Sequence, residues 1–191
     1  AIKVLAVMPF SLAATEVFAL DIHPGQTVVI DENSQRDRYK VTDATLIANG
    51  ANIVGVMAYG STFTMNGGQV KTTAGSEVGV ALYGSQATID GADISSGGAA
   101  GMIVGTRSTQ GSSAVVSNSQ VTGATDGILL SGPSTLTLNN TQVYGGKTGL
   151  TSFDGQLTAN NSRIVGGTNG IVAYRLPTQD NPSVLTLDQT Q

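Results

Sequence analysis

The side chains of this sequence that could carry chemistry are carboxylates. Asp90, Asp93, Asp126 and Asp154 are the candidates for acid–base work, because glycoside hydrolysis needs two carboxyl groups at a defined separation. Elimination on a polysaccharide would instead need acids holding calcium beside a basic Lys or Arg. A second acidic group, Asp31, Glu32, Asp37 and Asp43, is interleaved with Arg36, Arg38 and Lys40. It shows neither EF-hand nor glycine–aspartate nonapeptide spacing and reads as a solvated, charge-balanced loop.

Other chemistries close quickly. Without cysteine there is no disulfide framework, thiolate metal site or cysteine nucleophile. The one histidine, His23, excludes a histidine-rich zinc site and reads as a turn residue beside Pro24-Gly25. No Gly-Asp-Ser nucleophile motif and no Arg-Gly-Asp tripeptide occurs. The pairs Gly97-Gly98 and Gly145-Gly146 lack the Lys-Ser/Thr that a phosphate loop requires. No cofactor or metal is expected, and the chain is expected to be non-catalytic. Asn139-Asn140-Thr141 and Asn160-Asn161-Ser162 have the form of glycosylation sequons, but their recurrence at one repeat position is explained by a bend.

The 191 residues carry 9 Lys+Arg against 13 Asp+Glu, a net charge of −4. That acidic balance argues against a nucleic-acid partner, which needs clustered Lys and Arg. Residues 1–19, AIKVLAVMPFSLAATEVFA, have one Lys, an apolar middle too short to span a bilayer, and a small-residue exit at Ala19. This is the layout of a secretory signal peptide. The chain begins with Ala rather than Met, which leaves room for further basic residues upstream.

The acids and turns sit on a repeat. FTMNGGQV (63–70), ATIDGADI (87–94), AVVSNSQV (114–121), LTLNNTQV (136–143), LTANNSRI (157–164) and LTLDQTQ (185–191) share one pattern of apolar, polar, apolar, then turn residues. Their closing aliphatics Val70, Ile94, Val121, Val143 and Ile164 keep step with a second marker, Gly79, Gly101, Gly127, Gly149 and Gly170. Both markers recur about every 22 residues, the scale of a solenoid repeat. Alternation such as Leu136-Thr137-Leu138 is strand-like, and the Asn, Gly and Asp that follow accept sharp turns. No window carries the longer period of a core helix. A short strand cannot bury a face alone, so the units must stack.

The resulting fold class is all-β: a right-handed parallel β-helix of about six coils with three short strands per coil. Stacking predicts an inward column of Met65, Ile89, Val116, Leu138, Ala159 and Leu187, and another of the closing aliphatics. Asn66, Asp90, Ser117, Asn139, Asn160 and Asp188 are predicted to stack at the first bend. Gln69, Gln120, Gln142 and Gln191, with Asp93 and Arg163, share an outward position. Residues 20–43 read as an N-terminal cap with a charged loop, and 44–191 as the β-helix, ending partway through a coil. In this frame the four candidate acids fall at different coil positions and read as solvated turn residues.

Two insertions, Thr106–Gly111 and Leu176–Ser183, interrupt the repeat just before the first strand of a coil. Loops on one side of a solenoid often form its binding face. Tyr59, Tyr83 and Tyr174 lie at the same corner, so Tyr59, Tyr83, Arg107, Tyr174, Arg175 and Asp180 form the expected ligand-contact edge.

Repeats such as GSQATIDGADISSGGAAGMIVG (84–105), PSTLTLNNTQVYGGKTGL (133–150) and DGQLTANNSRIVGGTNGIVAY (154–174) resemble the pertactin-like passenger domains of bacterial autotransporters over residues 20–191. The resemblance implies export by a signal peptide and display on the outer-membrane surface, or in the extracellular space, of a Gram-negative cell. It also implies a C-terminal barrel of the same precursor, whose membrane strands this sequence lacks. Such passengers commonly serve as adhesins or virulence factors, so the expected partner is a host surface or matrix protein or a glycan. Two other classes share the architecture: a carbohydrate-active β-helix whose active site lies outside this fragment, and a purely structural stalk.

Overall fold

A computed structural model describes residues 19–73, 77–175 and 183–191. The expected signal peptide, apart from Ala19, lies outside the described residues. Among the described residues the strands form three parallel sheets, two of eight strands and one of six that begins at Asn52. The chain visits them in turn. One coil places Gln86–Asp90 in the second sheet, Asp93–Ser96 in the third and Ala100–Gly105 in the first, and the next coil returns to the second sheet with Ser113–Ser117. The architecture is a parallel β-helix, and each β-branched or aliphatic alternation supplies one short strand of it.

The predicted columns form. Met65 pairs with Ile89, Ile89 with Val116, Val116 with Leu138, Leu138 with Ala159, and Ala159 with Leu187. Val70, Ile94, Val121, Val143 and Ile164 stack in the third sheet. Nearly all of these side chains are fully buried; Leu187, in the last described rung, is 49% exposed. Each buried aliphatic contributes about 1.5–3 kcal/mol over its exposed state.

The stack is taller than six coils because it starts earlier. Residues 20–43, expected as a cap and loop, supply strands to the ladders: Thr27–Asp31 pairs with Thr45–Asn49, and Ala19–Ile22 with Arg38–Thr42. Apart from the turn at 23–26, the stretch 32–37 remains a loop, where Asp31 Oδ1 accepts from the Asn33 N–H and the Ser34 hydroxyl. The expected charged loop is thus confined to the place of a missing third-sheet strand.

Four of the repeating glycines, Gly101, Gly127, Gly149 and Gly170, are strand residues, and Gly79 immediately precedes its strand. Gly127 lies within Asp126–Ser131, and a Cβ there would sit 2.5 Å from the Gly149 carbonyl oxygen and 2.5 Å from Val143 Cγ1. Gly101 and Gly149 meet the glycine carbonyl of the following rung in the same way, at 2.8 and 2.6 Å. The column exists because only a hydrogen leaves room for the third-sheet aliphatics against the first sheet.

From Thr45–Asn49 onward, the bend after each second-sheet strand takes a left-handed residue. Gly50, Gly67 and Gly91 fill it in the lower rungs, and Asn118, Asn140 and Asn161 in the upper ones, with φ between 47 and 68°. Asn tolerates this region because its amide bonds locally. Here the amides also bond along the axis: Asn140 Nδ2 donates to Asn118 Oδ1 at 2.9 Å. The neighbouring column behaves alike, with Asn160 Nδ2 donating to Asn139 Oδ1 and Asn66 Nδ2 to Asn49 Oδ1, both at 2.9 Å.

Candidate functional site

The acids that could have formed a catalytic pair occupy different parts of the coil. Asp90 ends a second-sheet strand and accepts from Asn118 Nδ2 at 2.8 Å, while Asp93 faces outward from the third sheet between Gln69 and Gln120. Asp126 opens a first-sheet strand and accepts from the Thr151 hydroxyl at 2.8 Å. Asp154 is buried at the corner between the first and second sheets, with φ 57°. Each is used by a bend or a neighbouring rung. His23 is exposed in its turn, where its carbonyl accepts from Gln26 N.

The expected contact edge is brought together in part. Tyr59 pairs with Tyr83 in register, and their rings stack at 5.2 Å and 17°. Tyr174 lies in the same column but stacks on Phe153, at 5.0 Å and 13°, a partner that the sequence reading did not include. Arg107 turns toward the N-terminal end, and its Nη1 meets Asp43 Oδ1 at 2.7 Å. It thereby lies across the corner at Gly60 and Gly84, beside the lower tyrosine pair. Arg175 follows the column and is exposed. Asp180 and most of the second insertion lie outside the described residues.

The structure adds a face that the sequence reading missed. In the first sheet Val56, Val80, Met102, Ile128 and Leu150 point into the core. Alternation therefore turns the next residues, Met57, Ala81, Ile103, Leu129, Thr151 and Val172, away from the core in one column, in which Met57, Ile103, Leu129 and Val172 are half-buried and Ala81 and Thr151 buried. The adjacent outward column reads Tyr59, Tyr83, Gly105, Ser131, Phe153 and Tyr174. Over these six rungs neither column carries a formal charge, but Lys40 and then Asp21 continue the first column below Met57, and Thr151 within it donates to the Asp126 carboxylate at 2.8 Å. The signal was present as unbroken apolar runs, such as Ile128-Leu129-Leu130, which lack the two-residue alternation of a half-buried strand.

A family model described as a right-handed beta helix region matches residues 25–180. The chain belongs to this right-handed β-helix family. No curated protein and no solved structure gives a significant match.

Within this β-helix the polar corners are structural. The Ser61, Ser85, Ser112 and Ser134 hydroxyls are buried in a column, and each accepts a backbone N–H from the rung below at 3.0–3.2 Å. Ser119 and Ser162 do the same at the following corner, while the Thr141 hydroxyl there donates to the Val116 carbonyl at 3.1 Å. The Thr141 and Ser162 hydroxyls of the two sequons are therefore enclosed, at 1% and 5% exposure. Among the phenols, Tyr83 is raised above its ordinary value by burial, then by the neighbouring Tyr59. Tyr39, packed in the core, is raised by burial and then by Asp37.

Proposed function

We propose that this β-helix is the exported passenger region of a bacterial autotransporter, displayed at the cell surface as a stalk that makes adhesive, non-catalytic contacts. The observation that supports adhesion is the outer side of the first sheet over the six rungs from Met57 and Tyr59 to Val172 and Tyr174, whose two columns are mostly apolar or aromatic, half-buried and without formal charge. The corresponding outward column of the second sheet is mostly threonine, Thr64, Thr88, Thr137, Thr158 and Thr186, with Val29, Ile47 and Val115 as its apolar members. A spacer gains nothing from an apolar face, whereas a contact surface gains binding energy from its burial. The separation of Asp90, Asp93, Asp126 and Asp154 onto different corners and sheets supports the non-catalytic reading over a carbohydrate-active one.

The reading is tested by displaying the chain on a non-adherent bacterium and measuring attachment to cultured cells, matrix proteins and glycans. Attachment that falls when Ile103 and Leu129 are both replaced by Thr supports it. A folded chain that attaches to nothing leaves the stalk, and degradation of a polysaccharide substrate overturns the non-catalytic reading.

A further inference from the structure

In its lowest described rungs the corner between the first and second sheets opens into a groove of about 240 Å³. Its floor follows the turns, where Gly25, Asp43 and Gly60 hold left-handed backbone at φ 77, 49 and 60°. Its wall is a row of threonines, since Thr27 pairs with Thr45 and Thr45 with Thr62. Two rung steps of roughly 4.8 Å make that row about 10 Å long. The groove holds the volume of about eight waters, room for a hexose ring. Its lower end is open, because a Cβ on Gly25 would meet nothing within 4 Å.

The polar groups around the groove are positioned and partly unused. Thr27 and Thr62 are exposed and Thr45 half-buried, and their hydroxyls bond to no other described residue. The β-branch restricts each χ1, so the hydroxyls repeat at the rung spacing. Gln26 accepts the His23 N–H on its side-chain oxygen at 2.8 Å, which leaves its NH₂ as a free double donor. Asp43 Oδ1 accepts from Arg107 Nη1 at 2.7 Å, which leaves Oδ2 to accept another hydrogen bond. Gly60 lies beneath this pair, and a Cβ there would strike both the carboxylate and the guanidinium. The Arg107 stem lies over Gly84 one rung higher, so the first insertion bounds the upper end of the groove. The charges of Asp43 and Arg107 cancel. An acceptor, a double donor and a row of hydroxyls then match a ligand that has neighbouring hydroxyls and no charge. Asp43 is the one carboxylate lining the groove, whereas glycoside cleavage needs two. The site is therefore suited to holding a sugar and not to cutting it.

We propose that this groove binds a neutral hexose or N-acetylhexosamine unit of a glycan. This deepens the adhesive reading and rests on it. The experiment titrates the full chain with lactose, maltotriose and diacetylchitobiose, and with glucuronic acid as the charged comparison, followed by calorimetry and amide NMR shifts. Binding of at least one neutral probe is expected, with shifts at the Gln26, Thr45 and Gly60 amides. Asp43→Asn, a residue that tolerates the left-handed backbone, is expected to weaken binding about tenfold through the lost charged hydrogen bond. The triple variant Thr27→Val, Thr45→Val and Thr62→Val is decisive, because it keeps the β-branched wall and removes its hydroxyls. It is expected to keep the thermal midpoint of the parent and to lose binding. Thr135→Val, higher in the same column, is expected to change neither.

Absence of binding by all three neutral probes, glucuronic acid binding as tightly as they do, or binding that the triple variant leaves intact overturns the proposal. In each of these cases attachment of the displayed chain to cells leaves adhesion standing. A chain that binds no sugar and attaches to nothing overturns both readings.

Discussion

The backbone N–H of Thr141 donates to the Ser162 hydroxyl one rung above at 3.1 Å, and that hydroxyl donates in turn to the Asn160 carbonyl at 2.9 Å. One small side chain thus satisfies a buried amide of the coil below and closes its own bend. Ser162→Ala leaves the Thr141 N–H buried without an acceptor, which costs about 1–3 kcal/mol. Urea unfolding of the two chains reads the difference; equal midpoints would show that another group reaches the amide.

The glycine column and the left-handed corner predict opposite outcomes for two glycine substitutions. Gly127→Ala drives a Cβ into the Gly149 carbonyl and Val143, a clash of backbone with core. It is expected to cost at least about 1–3 kcal/mol, as overpacking does. Gly91→Asn places a side chain where nothing lies within 4 Å, at a corner that Asn118 and Asn140 already occupy in the left-handed region. It is expected to stay within about 0.5 kcal/mol of the parent. Thermal midpoints measured side by side separate the two.

Alkaline stability is expected to depend on the phenols. The folded Tyr83 and Tyr39 values are raised above 10.0, mainly by burial, so the folded state holds these protons more tightly than the unfolded chain. Their contribution is complete below the unfolded value and is lost as pH rises through the folded ones. Tyr83→Phe keeps the ring stack and removes one titrating group. Its stability is expected to fall less steeply above pH 10.0 than that of the parent, with phenolate absorbance tracking the change.

The two sequons are expected to remain unmodified on the folded chain, because the Thr141 and Ser162 hydroxyls are enclosed at the corner. Intact-mass measurement after the folded protein is exposed to an oligosaccharyltransferase checks this. An added glycan at Asn139 or Asn160 would mean that the corner opens.

The exposed ion pair between Arg107 and Asp43 anchors the insertion rather than the fold. Arg107→Ala is expected to change global stability by about 0–1 kcal/mol, the range of surface pairs. Faster hydrogen exchange at the Arg107 and Gln110 amides would report release of the loop; unchanged exchange would locate its anchor elsewhere.

Much of this was legible from residue order alone. Strand alternation and turn residues are local signals, and with a 22-residue period they specify which aliphatics stack. The columns through Leu138 and Val143 followed from that count. The first rungs escaped it for a physical reason. Thr27 pairs with Thr45 and Thr45 with Thr62, coils of 18 and 17 residues in which the third-sheet strand is missing or two residues long. Their length hides the period.

Local pattern by itself determined that the chain piles up short parallel strands, and which side chains fill the interior. Only the tertiary structure decided what the outer surface is. An apolar run such as Ile128-Leu129-Leu130 does not say that Leu129 turns away from the core and stays half-buried, nor does spacing join Tyr83 to Gly105 or Arg107 to Asp43. Those relations arise between rungs, through insertions of unequal length, and exist once the coils have closed against one another.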